Sequence, residues 1–352
     1  MQRLFRWTNT NLRAWEQISP ADHDDHDTRI VLLSPPMVPG GAVCEVIPSW
    51  GAQTPPGSWI EIQLGARIAD RWSRWYRLAR WDSAATASQR TSFDAQRDAD
   101  GEVATDTFVL RQPADALRVR VLLCAEAGAA LPQLTSLALS LMPIETGERP
   151  APVAPAQHYA QQPLQLPTFS QYAFADGAGW CSPTSLAMVL GYWYQRTHDP
   201  RLAPFTAPAS VVTFSAPMVY DPAYAGTGNW PFNTAYATTL GLTALVTRLR
   251  DLGQLARWIA AGIPVIASIA WREGELENAA IPRSNGHLLV VTGLDGALVH
   301  VADPAGAAPS QVMRRYRADQ VAHLTQRTSK GAVYLIYPPN WAIPLAEEGD
   351  AW

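Results

Sequence analysis

The stretch GWCSPTSLAMVLGYW, residues 179–193, decides the fold of the C-terminal half of this chain. Pro183 suits the first turn of a helix, where its missing N–H costs nothing, and Ser182 suits the capping position before it. The apolar residues that follow are spaced i, i+3, i+4 and i+7, which gives a helix one buried face: Leu186, Val189, Leu190 and Trp193. The pattern predicts a buried helix with Cys181 at its entrance.

A cysteine at a helix entrance has altered chemistry. The helix dipole and the unpaired N–H groups of the first turn stabilise a thiolate and lower the thiol pKa. Cys181 lies off the apolar face, where a structural cysteine is expected, yet the residue alone leaves a nucleophile and a structural thiol both open. If it is a nucleophile, we expect the neighbouring Trp180 to contact substrate.

Cys44 and Cys124 lie in apolar, strand-like runs and are interpreted as small buried hydrophobes, because three cysteines make no disulfide framework.

The stretch SNGHLLVVTGLDGALVHVADPAG, residues 284–306, predicts two strands joined by a tight turn. With a three-residue turn over 294–296 and Gly296 in the left-handed conformation, one face is uniformly apolar and ends in a His287–Asp303 pair. Two-residue pairing would instead place Asp303 opposite Leu288, so we prefer the first register. An imidazole held by a carboxylate through its second nitrogen is the arrangement that a general base needs.

Cysteine, histidine and aspartate follow one another in the order found in papain-type enzymes. The stretches around them, GWCSPTSLAMVLGYW, NGHLLVVTG (285–293) and Asp303-Pro304, resemble the papain-like peptidases related to bacteriocin-processing, double-glycine-leader peptidases. The resemblance also covers NWPFNTAYATTLGL (229–242) and AAGIPVIASIAW (260–271), so it spans most of the C-terminal half.

The resemblance implies an α+β, papain-like domain in which the helix with the nucleophile packs on an antiparallel sheet. It implies Cys181 as nucleophile, His287 as general base and acid, and Asp303 as the residue that orients the histidine. A family glutamine that helps to form the oxyanion hole is matched by Gln171, ten residues before the cysteine, a wider gap than is usual. The membrane and ATP-binding segments of transporter-fused members are missing from this sequence, which favours a free-standing enzyme with an accessory module.

The first 142 residues predict an all-β, jelly-roll-like sandwich. Short runs that mostly alternate apolar with polar residues are separated by Gly, Pro and Asp turns: Thr28–Ser34, Ala42–Pro48, Ser58–Gly65, Trp72–Arg80, Asp106–Arg111, Leu117–Ala125 and Leu134–Met142. Five tryptophans crowd this region and either fill the core or form a sugar-stacking platform, and we favour the core: Trp50, Trp59, Trp72, Trp75 and Trp81.

Residues 143–167 are rich in proline, which predicts a semi-rigid linker before a second domain over 168–352. Within that domain, the Gly-, Pro- and aromatic-rich stretch Tyr220–Asn233 lies between the nucleophile helix and the histidine strand. We expect it either to wall the substrate cleft, with Tyr220 or Trp230 facing it, or to be an ordinary surface loop.

Composition excludes several classes of protein. The chain has 352 residues, with 27 Lys+Arg against 31 Asp+Glu and a net charge of −4, which excludes an electrostatic nucleic-acid binder. Hydrophobic residues make up 47%, which excludes a disordered chain. The acidic run over 22–27 is interpreted as a solvated loop, and no zinc spacing or phosphate loop occurs, so we expect no cofactor or metal. No signal peptide or membrane span is visible, which makes the cytoplasm the default location, whereas the resemblance leaves export open because the family is often exported.

These features favour a thiol hydrolase that acts on amide bonds of peptides or proteins through Cys181, His287 and Asp303. A second hypothesis keeps the three residues but makes the enzyme an amidase or acyltransferase, for example on peptidoglycan-type substrates. A third is a catalytically silent protein that binds glycan or peptide through the N-terminal domain. The three residues cannot separate the first two hypotheses, because the shape of the pocket selects the acceptor.

Overall fold

A computed structural model describes residues 3–18, 27–84, 89–144 and 163–352. Its chain divides into two compact units. The first contains the chain up to Gly147 together with Tyr220–Thr239 and Ala351, and the second contains Glu148–Val219, Leu240–Asp350 and Trp352. Most of the predicted linker, residues 145–162, and nearly all of the acidic run, residues 22–26, lie outside the described residues.

Helices and strands are numbered in chain order. The helices are α1 (Asn9–Leu12), α2 (Cys181–Thr197), α3 (Ala216–Val219), α4 (Trp230–Thr239), α5 (Leu252–Ala260) and α6 (Ala318–Ser329). The strands are β1 (Leu4–Thr8), β2 (Glu16–Ile18), β3 (Thr28–Leu33), β4 (Val43–Gln53), β5 (Ser58–Ile68), β6 (Arg71–Trp72), β7 (Tyr76–Trp81), β8 (Thr91–Ser92), β9 (Gly101–Ala104), β10 (Thr107–Ala114), β11 (Ala116–Ala125), β12 (Gln133–Pro143), β13 (Thr243–Arg248), β14 (Val265–Trp271), β15 (Ser284–Asp295), β16 (Leu298–Ala302), β17 (Met313–Arg317) and β18 (Ala332–Tyr337). Among the described residues, no helix combines the length and the apolarity that a membrane span requires.

The first unit consists of two antiparallel sheets with a shared core. One has the strand order β1-β12-β4-β10-β9, and the other has the order β2-β3-β11-β5-β7-β8, with β6 paired to β5. Aromatic rings connect the two sheets: Trp50 of β4 lies 6.4 Å from Trp81 of β7, and Tyr76 of β7 lies 4.4 Å from Phe108 of β10, measured between ring centroids. This two-sheet arrangement agrees with the predicted all-β class, and the jelly-roll connectivity stays a prediction.

Most of the clustered tryptophans belong to this core. Trp50, Trp59 and Trp81 are at most 1% exposed. Trp72 and Trp75 are half-buried, and guanidinium groups cover their rings: Arg118 lies 4.1 Å from the ring of Trp72, and Arg120 lies 4.6 Å from that of Trp75. Indole burial of this extent stabilises a core, which was the preferred interpretation of the cluster.

A segment from the C-terminal half completes the first unit. Helix α4 packs on β4, and its Phe232, fully buried, lies 6.1 Å from Trp50 and 5.4 Å from Trp81. The buried carboxylate of Asp221 accepts a hydrogen bond from the backbone N–H of Ser92 at 3.0 Å. This stretch lies within the predicted second domain over 168–352, but in the structure it belongs to the first unit, where Phe232 and the carboxylate of Asp221 find their partners.

The second unit is a mixed α/β structure around one antiparallel sheet. The strand order is β13-β18-β14-β15-β16-β17, and every neighbouring pair is antiparallel. Helix α2 contacts β15, and α6 contacts β14. Strand β15 is buried continuously from His287 to Leu294, so it lies in the centre of the unit instead of at an exposed face.

The turn between β15 and β16 is shorter than predicted. Asp295 pairs with Leu298, which leaves the two-residue turn Gly296-Ala297 in place of the predicted three-residue turn over 294–296. Gly296 has a φ of +54°, the left-handed conformation predicted for it, and a glycine at the first central position is typical of a type II′ turn. The predicted register is therefore wrong.

A bulge in β15 nevertheless keeps His287 and Asp303 on the same side. A two-residue turn alone would place these side chains on opposite faces, because successive side chains of a strand alternate. The pairing shifts by one residue at Thr292, so that Val291 faces Val301 beyond it. The extra residue restores the alternation, and Asp303, just past the end of β16, reaches the face on which His287 lies.

Candidate active site

Cys181 is the first residue of α2. The N–H of Thr184 donates to the carbonyl of Trp180 at 3.0 Å, so the helix begins two residues earlier than predicted, with Trp180 at its cap. Ser182, predicted as the cap, lies inside the first turn instead, and its hydroxyl is 3.0 Å from that of Tyr334. Cys181 is partly exposed, whereas the helix is buried from Ser182 to Trp193. The thiol therefore lies at the accessible end of a buried helix.

The thiol of Cys181 interacts with the imidazole of His287. Burial by itself raises the pKa of this thiol, but the hydrogen bond and the charge of His287 outweigh burial, aided by the backbone N–H groups of Leu288 and Ser182. The pKa of Cys181 is therefore lowered, which favours a thiolate. The hydroxyl of Ser185 donates to the carbonyl of Leu288 at 3.0 Å and so fastens α2 to β15 beside the two reactive groups.

The second nitrogen of His287 meets a carboxylate. Its Nε2 lies 2.7 Å from Oδ1 of Asp303, which leaves Nδ1 for the thiol. Burial lowers the pKa of His287, but the charge of Asp303 and its hydrogen bond, followed by the contact with Cys181, raise it above the usual value for imidazole. The ring of Trp271 lies edge-on to the imidazole, with 5.5 Å between the centroids. These contacts fix the plane of the ring and favour the ion pair of thiolate and imidazolium.

The carboxylate of Asp303 is fully buried and has further donors. Its Oδ1 also accepts the N–H of Ala305 at 2.8 Å, and its Oδ2 accepts the hydroxyl of Tyr316 at 2.6 Å. Burial raises the pKa of this carboxyl, but His287 and Tyr316 outweigh burial and keep its pKa low. Sequence reasoning missed Tyr316, which comes from β17; the one available signal was an aromatic residue alternating with arginines in MRRYR.

Gln171 lies at the turn that carries Asp303. Its backbone N–H donates to the carbonyl of Pro304 at 2.8 Å, and its Nε2 donates to the carbonyl of Ala178 at 2.9 Å. The loop between Gln171 and Cys181 folds back on itself, because Gly177 approaches so closely that a Cβ atom there would lie 1.8 Å from the carbonyl oxygen of Gln171. This compact loop brings the backbone of Gln171 close to Asp303 despite the wide spacing in the sequence.

The three residues predicted to contact substrate lie in different places. Trp180 is half-buried, and its ring packs on Phe174 at 6.1 Å between centroids. Tyr220 and Trp230 belong to the first unit, where the carbonyl of Tyr220 accepts from Arg90 and the N–H of Trp230 donates to Asp106. The structure thus brings Cys181, His287, Asp303 and Gln171 together within the second unit, with Trp180 beside them.

One aromatic residue near the thiol was not singled out from the sequence. The side chain of Tyr172 is 43% exposed, and its pKa is raised by burial and by the charges of Asp303 and Cys181. The position of Tyr172, next to Gln171, places an exposed ring beside the reactive groups.

In the part of the chain that the structure describes, no three His, Cys, Asp or Glu side chains converge as a metal site requires.

Two family models match this chain in succession. Residues 12–141 match the Peptidase C39 N-terminal domain, and residues 163–333 match the Peptidase_C39 like family. The second match includes every residue of the site described above. A search of curated proteins found no match.

Two peptidases are among the solved structures to which this chain is similar. One is a double glycine motif protease from an AMS/PCAT transporter in complex with its leader peptide, 16% identical, with a TM-score of 0.32, covering 51% of this chain and 96% of that one. The other is a putative C39-like peptidase from Bacillus anthracis, 16% identical, with a TM-score of 0.31, covering 48% and 93%. The two successive family matches show that the chain belongs to the C39-like cysteine peptidase family.

Proposed function

We propose that this protein is a thiol hydrolase that cleaves amide bonds of peptides through Cys181, His287 and Asp303. The observation that carries the proposal is the 2.7 Å hydrogen bond between His287 and Asp303, together with the interaction of His287 with the Cys181 thiol, which lowers the pKa of that thiol. The family match supports a cysteine peptidase, and these contacts support the roles of the individual residues.

The first step forms an acyl-enzyme. The Cys181 thiolate attacks the carbonyl carbon of the peptide, and the electron pair of the C=O bond moves to the oxygen. The N–H of Cys181 at the helix start and the side chain of Gln171 would stabilise this oxyanion. The intermediate collapses, the C–N bond breaks, and the imidazolium of His287 gives its proton to the departing amine.

The second step releases the acid. Neutral His287 takes a proton from water, the hydroxide attacks the thioester carbon, and the C–S bond breaks with the electron pair returning to sulfur. The proton on His287 then stabilises the regenerated thiolate, and Asp303 keeps the imidazole in the required orientation throughout. With water as the acceptor, the same residues would also serve an amidase, and with an amine in place of water they would serve an acyltransferase, for example on a peptidoglycan-type substrate.

The experiment is digestion of a mixed peptide library, with new termini identified by mass spectrometry, with and without an added amine. We expect free carboxyl termini from the native protein, and loss of cleavage in Cys181→Ala. Asp303→Asn should reduce turnover at least tenfold while the fold remains. Glu61→Gln is the matched control, because it changes another buried carboxylate, one in β5 of the first unit, and its turnover per folded molecule should be unchanged.

Products joined to the added amine would favour acyl transfer over hydrolysis. No product with any acceptor, together with an unreactive thiol, would contradict the proposal and favour a catalytically silent binding protein.

Glycan contact by the first unit stays a prediction, and the half-buried Trp72 and Trp75 are the members of the cluster with ring surface left for it. Substrate contacts by Trp180, Tyr220 and Trp230 also stay predictions.

A further inference from the structure

Tyr316 connects the acidic residue of the site to a loop. It lies in β17, opposite Val299 of β16, and is fully buried. Its hydroxyl donates to Oδ2 of Asp303 at 2.6 Å and accepts the backbone N–H of Ala280 at 3.3 Å. Ala280 belongs to the loop between β14 and β15. A buried phenol with both a donor and an acceptor partner is fixed in its orientation.

The two oxygens of the Asp303 carboxylate are held by different groups. Oδ1 accepts from His287 and from the N–H of Ala305, at 2.7 and 2.8 Å. Among the described residues, Tyr316 is the donor to Oδ2. Loss of that donor would leave a buried, charged oxygen unsatisfied, which costs more than an ordinary hydrogen bond contributes. The carboxylate would then rotate or become protonated.

We propose that Tyr316 is a positioning residue of this site, which holds the Asp303 carboxylate charged and aimed at His287. The inference rests on the proposed function, because it gives Asp303 the task of orienting His287. It adds a fourth member to the set, one that acts through Asp303 and does not touch the substrate.

The charged and titratable groups around Asp303 come from several elements. Cys181 begins α2, His287 lies in β15, and Tyr172 lies in the loop before α2, where the charge of Asp303 acts on it. Arg314 of β17 acts on the phenol of Tyr316. The pKa of Tyr316 is raised by burial and by Asp303, so the phenol keeps its proton and remains a donor.

The direction of the expected effect follows from burial. Burial pushes the pKa of Asp303 up, and its hydrogen bonds hold it down. Without the phenol hydroxyl, Asp303 takes up a proton at a higher pH. A neutral Asp303 no longer stabilises the imidazolium of His287, and the thiolate of Cys181 loses its counter-ion in turn. The acidic limit of thiolate reactivity should therefore move to higher pH.

The experiment measures the rate of iodoacetamide alkylation at Cys181 from acidic to alkaline pH, by peptide mapping, in the full-length protein. In Tyr316→Phe, we expect the midpoint of the acidic limb to rise by about one pH unit. Tyr192→Phe is the matched control: it removes another buried phenol, one that donates to the carbonyl of Gly262 at 2.7 Å, and should leave the midpoint unchanged. Asp303→Asn removes the carboxylate altogether, so it gives the largest shift of the midpoint that this interaction can cause.

The outcomes separate the inference from the proposed function. A Cys181 that is unreactive in the native protein contradicts the proposed function. A reactive Cys181 whose midpoint moves in Asp303→Asn and not in Tyr316→Phe overturns the role of Tyr316 alone. If Tyr316→Phe fails to fold, 3-fluorotyrosine at position 316 keeps the ring and strengthens the donor, so the midpoint should fall. An unchanged midpoint there would also overturn the inference.

Discussion

At the scale of single residues, the site combines one accessible group with two buried ones. Cys181 is partly exposed, while His287 is 2% and Asp303 0% exposed. A buried ion pair is stabilised only when its remaining polar atoms are also satisfied. Here the backbone N–H of Leu288 helps to stabilise the thiolate, and the backbone N–H of Ala305 donates a hydrogen bond to the carboxylate.

Cys181 should therefore react with iodoacetamide at about pH 6, well below the free-thiol pKa of about 8.5. Cys44 is the matched control, because it is also partly exposed but its Sγ contacts the carbonyl of Met142 instead of an imidazole. Peptide mapping of the folded protein should show alkylation of Cys181 well before that of Cys44 or the buried Cys124. Equal, slow labelling of all three would contradict a lowered thiol pKa.

Sequence reasoning reaches some of these residues and not others. The His287–Asp303 hydrogen bond was predicted from the alternation of the two strands, and the structure contains it. Cys181 was predicted at a helix start because Pro183 marks a first turn. Tyr316 was not predicted, because the alternation in MRRYR indicates only a strand, and its contact with Asp303 depends on how β17 pairs with β16.

At the scale of elements, the hairpin of β15 and β16 shows which features a sequence pattern determines. The apolar alternation fixes which side chains share a face, and this survives in the structure. It does not fix the register, since a two-residue turn with a bulge at Thr292 satisfies the same alternation as a three-residue turn. The strand predicted over Trp72–Arg80 divides into β6 and β7, and the short edge strands β1, β2, β8 and β9 were missed, because strands of two to five residues leave little alternation to recognise.

The need for a glycine in this turn can be tested by comparing Gly296 with Gly286, which lies in β15. Gly296 has a φ of +54°, and an added Cβ atom would meet nothing within 4 Å, so the cost of Gly296→Ala is backbone strain alone. We expect it to lower the free energy of unfolding by about 1 kcal/mol, measured by chemical denaturation. Gly286→Ala is the control, because it also has open space but no positive φ, and it should cost less. Equal losses would show that the turn does not need a left-handed residue.

At the scale of the whole molecule, the position of a segment in the sequence does not determine which unit it belongs to. The segment Tyr220–Thr239 lies in the sequence between α3 and β13 of the second unit, yet it belongs to the first. The Gly-, Pro- and aromatic-rich composition from Tyr220 marks a loop in the sequence, but a composition does not reveal which unit a loop packs against. Its contacts with Trp50 and Trp81 involve residues far away in the chain.

Phe232→Ala should therefore destabilise the first unit, although residue 232 lies in the C-terminal half. Truncation of a fully buried phenylalanine costs about 3–5 kcal/mol, and the loss should appear in the unfolding transition reported by the fluorescence of the tryptophans around it. Phe214→Ala is the control, because its side chain is 38% exposed and lies in the second unit. A similar loss in both variants would contradict the assignment of α4 to the core of the first unit.

The path of the chain also sets an order of events during synthesis on the ribosome. The first 147 residues emerge early but must wait for Tyr220–Thr239 before their core is complete, and Cys181 emerges in between. Nascent chains stalled once residue 239 has left the exit tunnel should resist protease over the first unit, and chains stalled before residue 220 has left it should not. At both points His287, Asp303 and Tyr316 are still unmade. The first unit is thus complete except for Ala351 before the partners of the thiol are made, so the proposed peptidase acquires its reactivity only after most of this unit can fold.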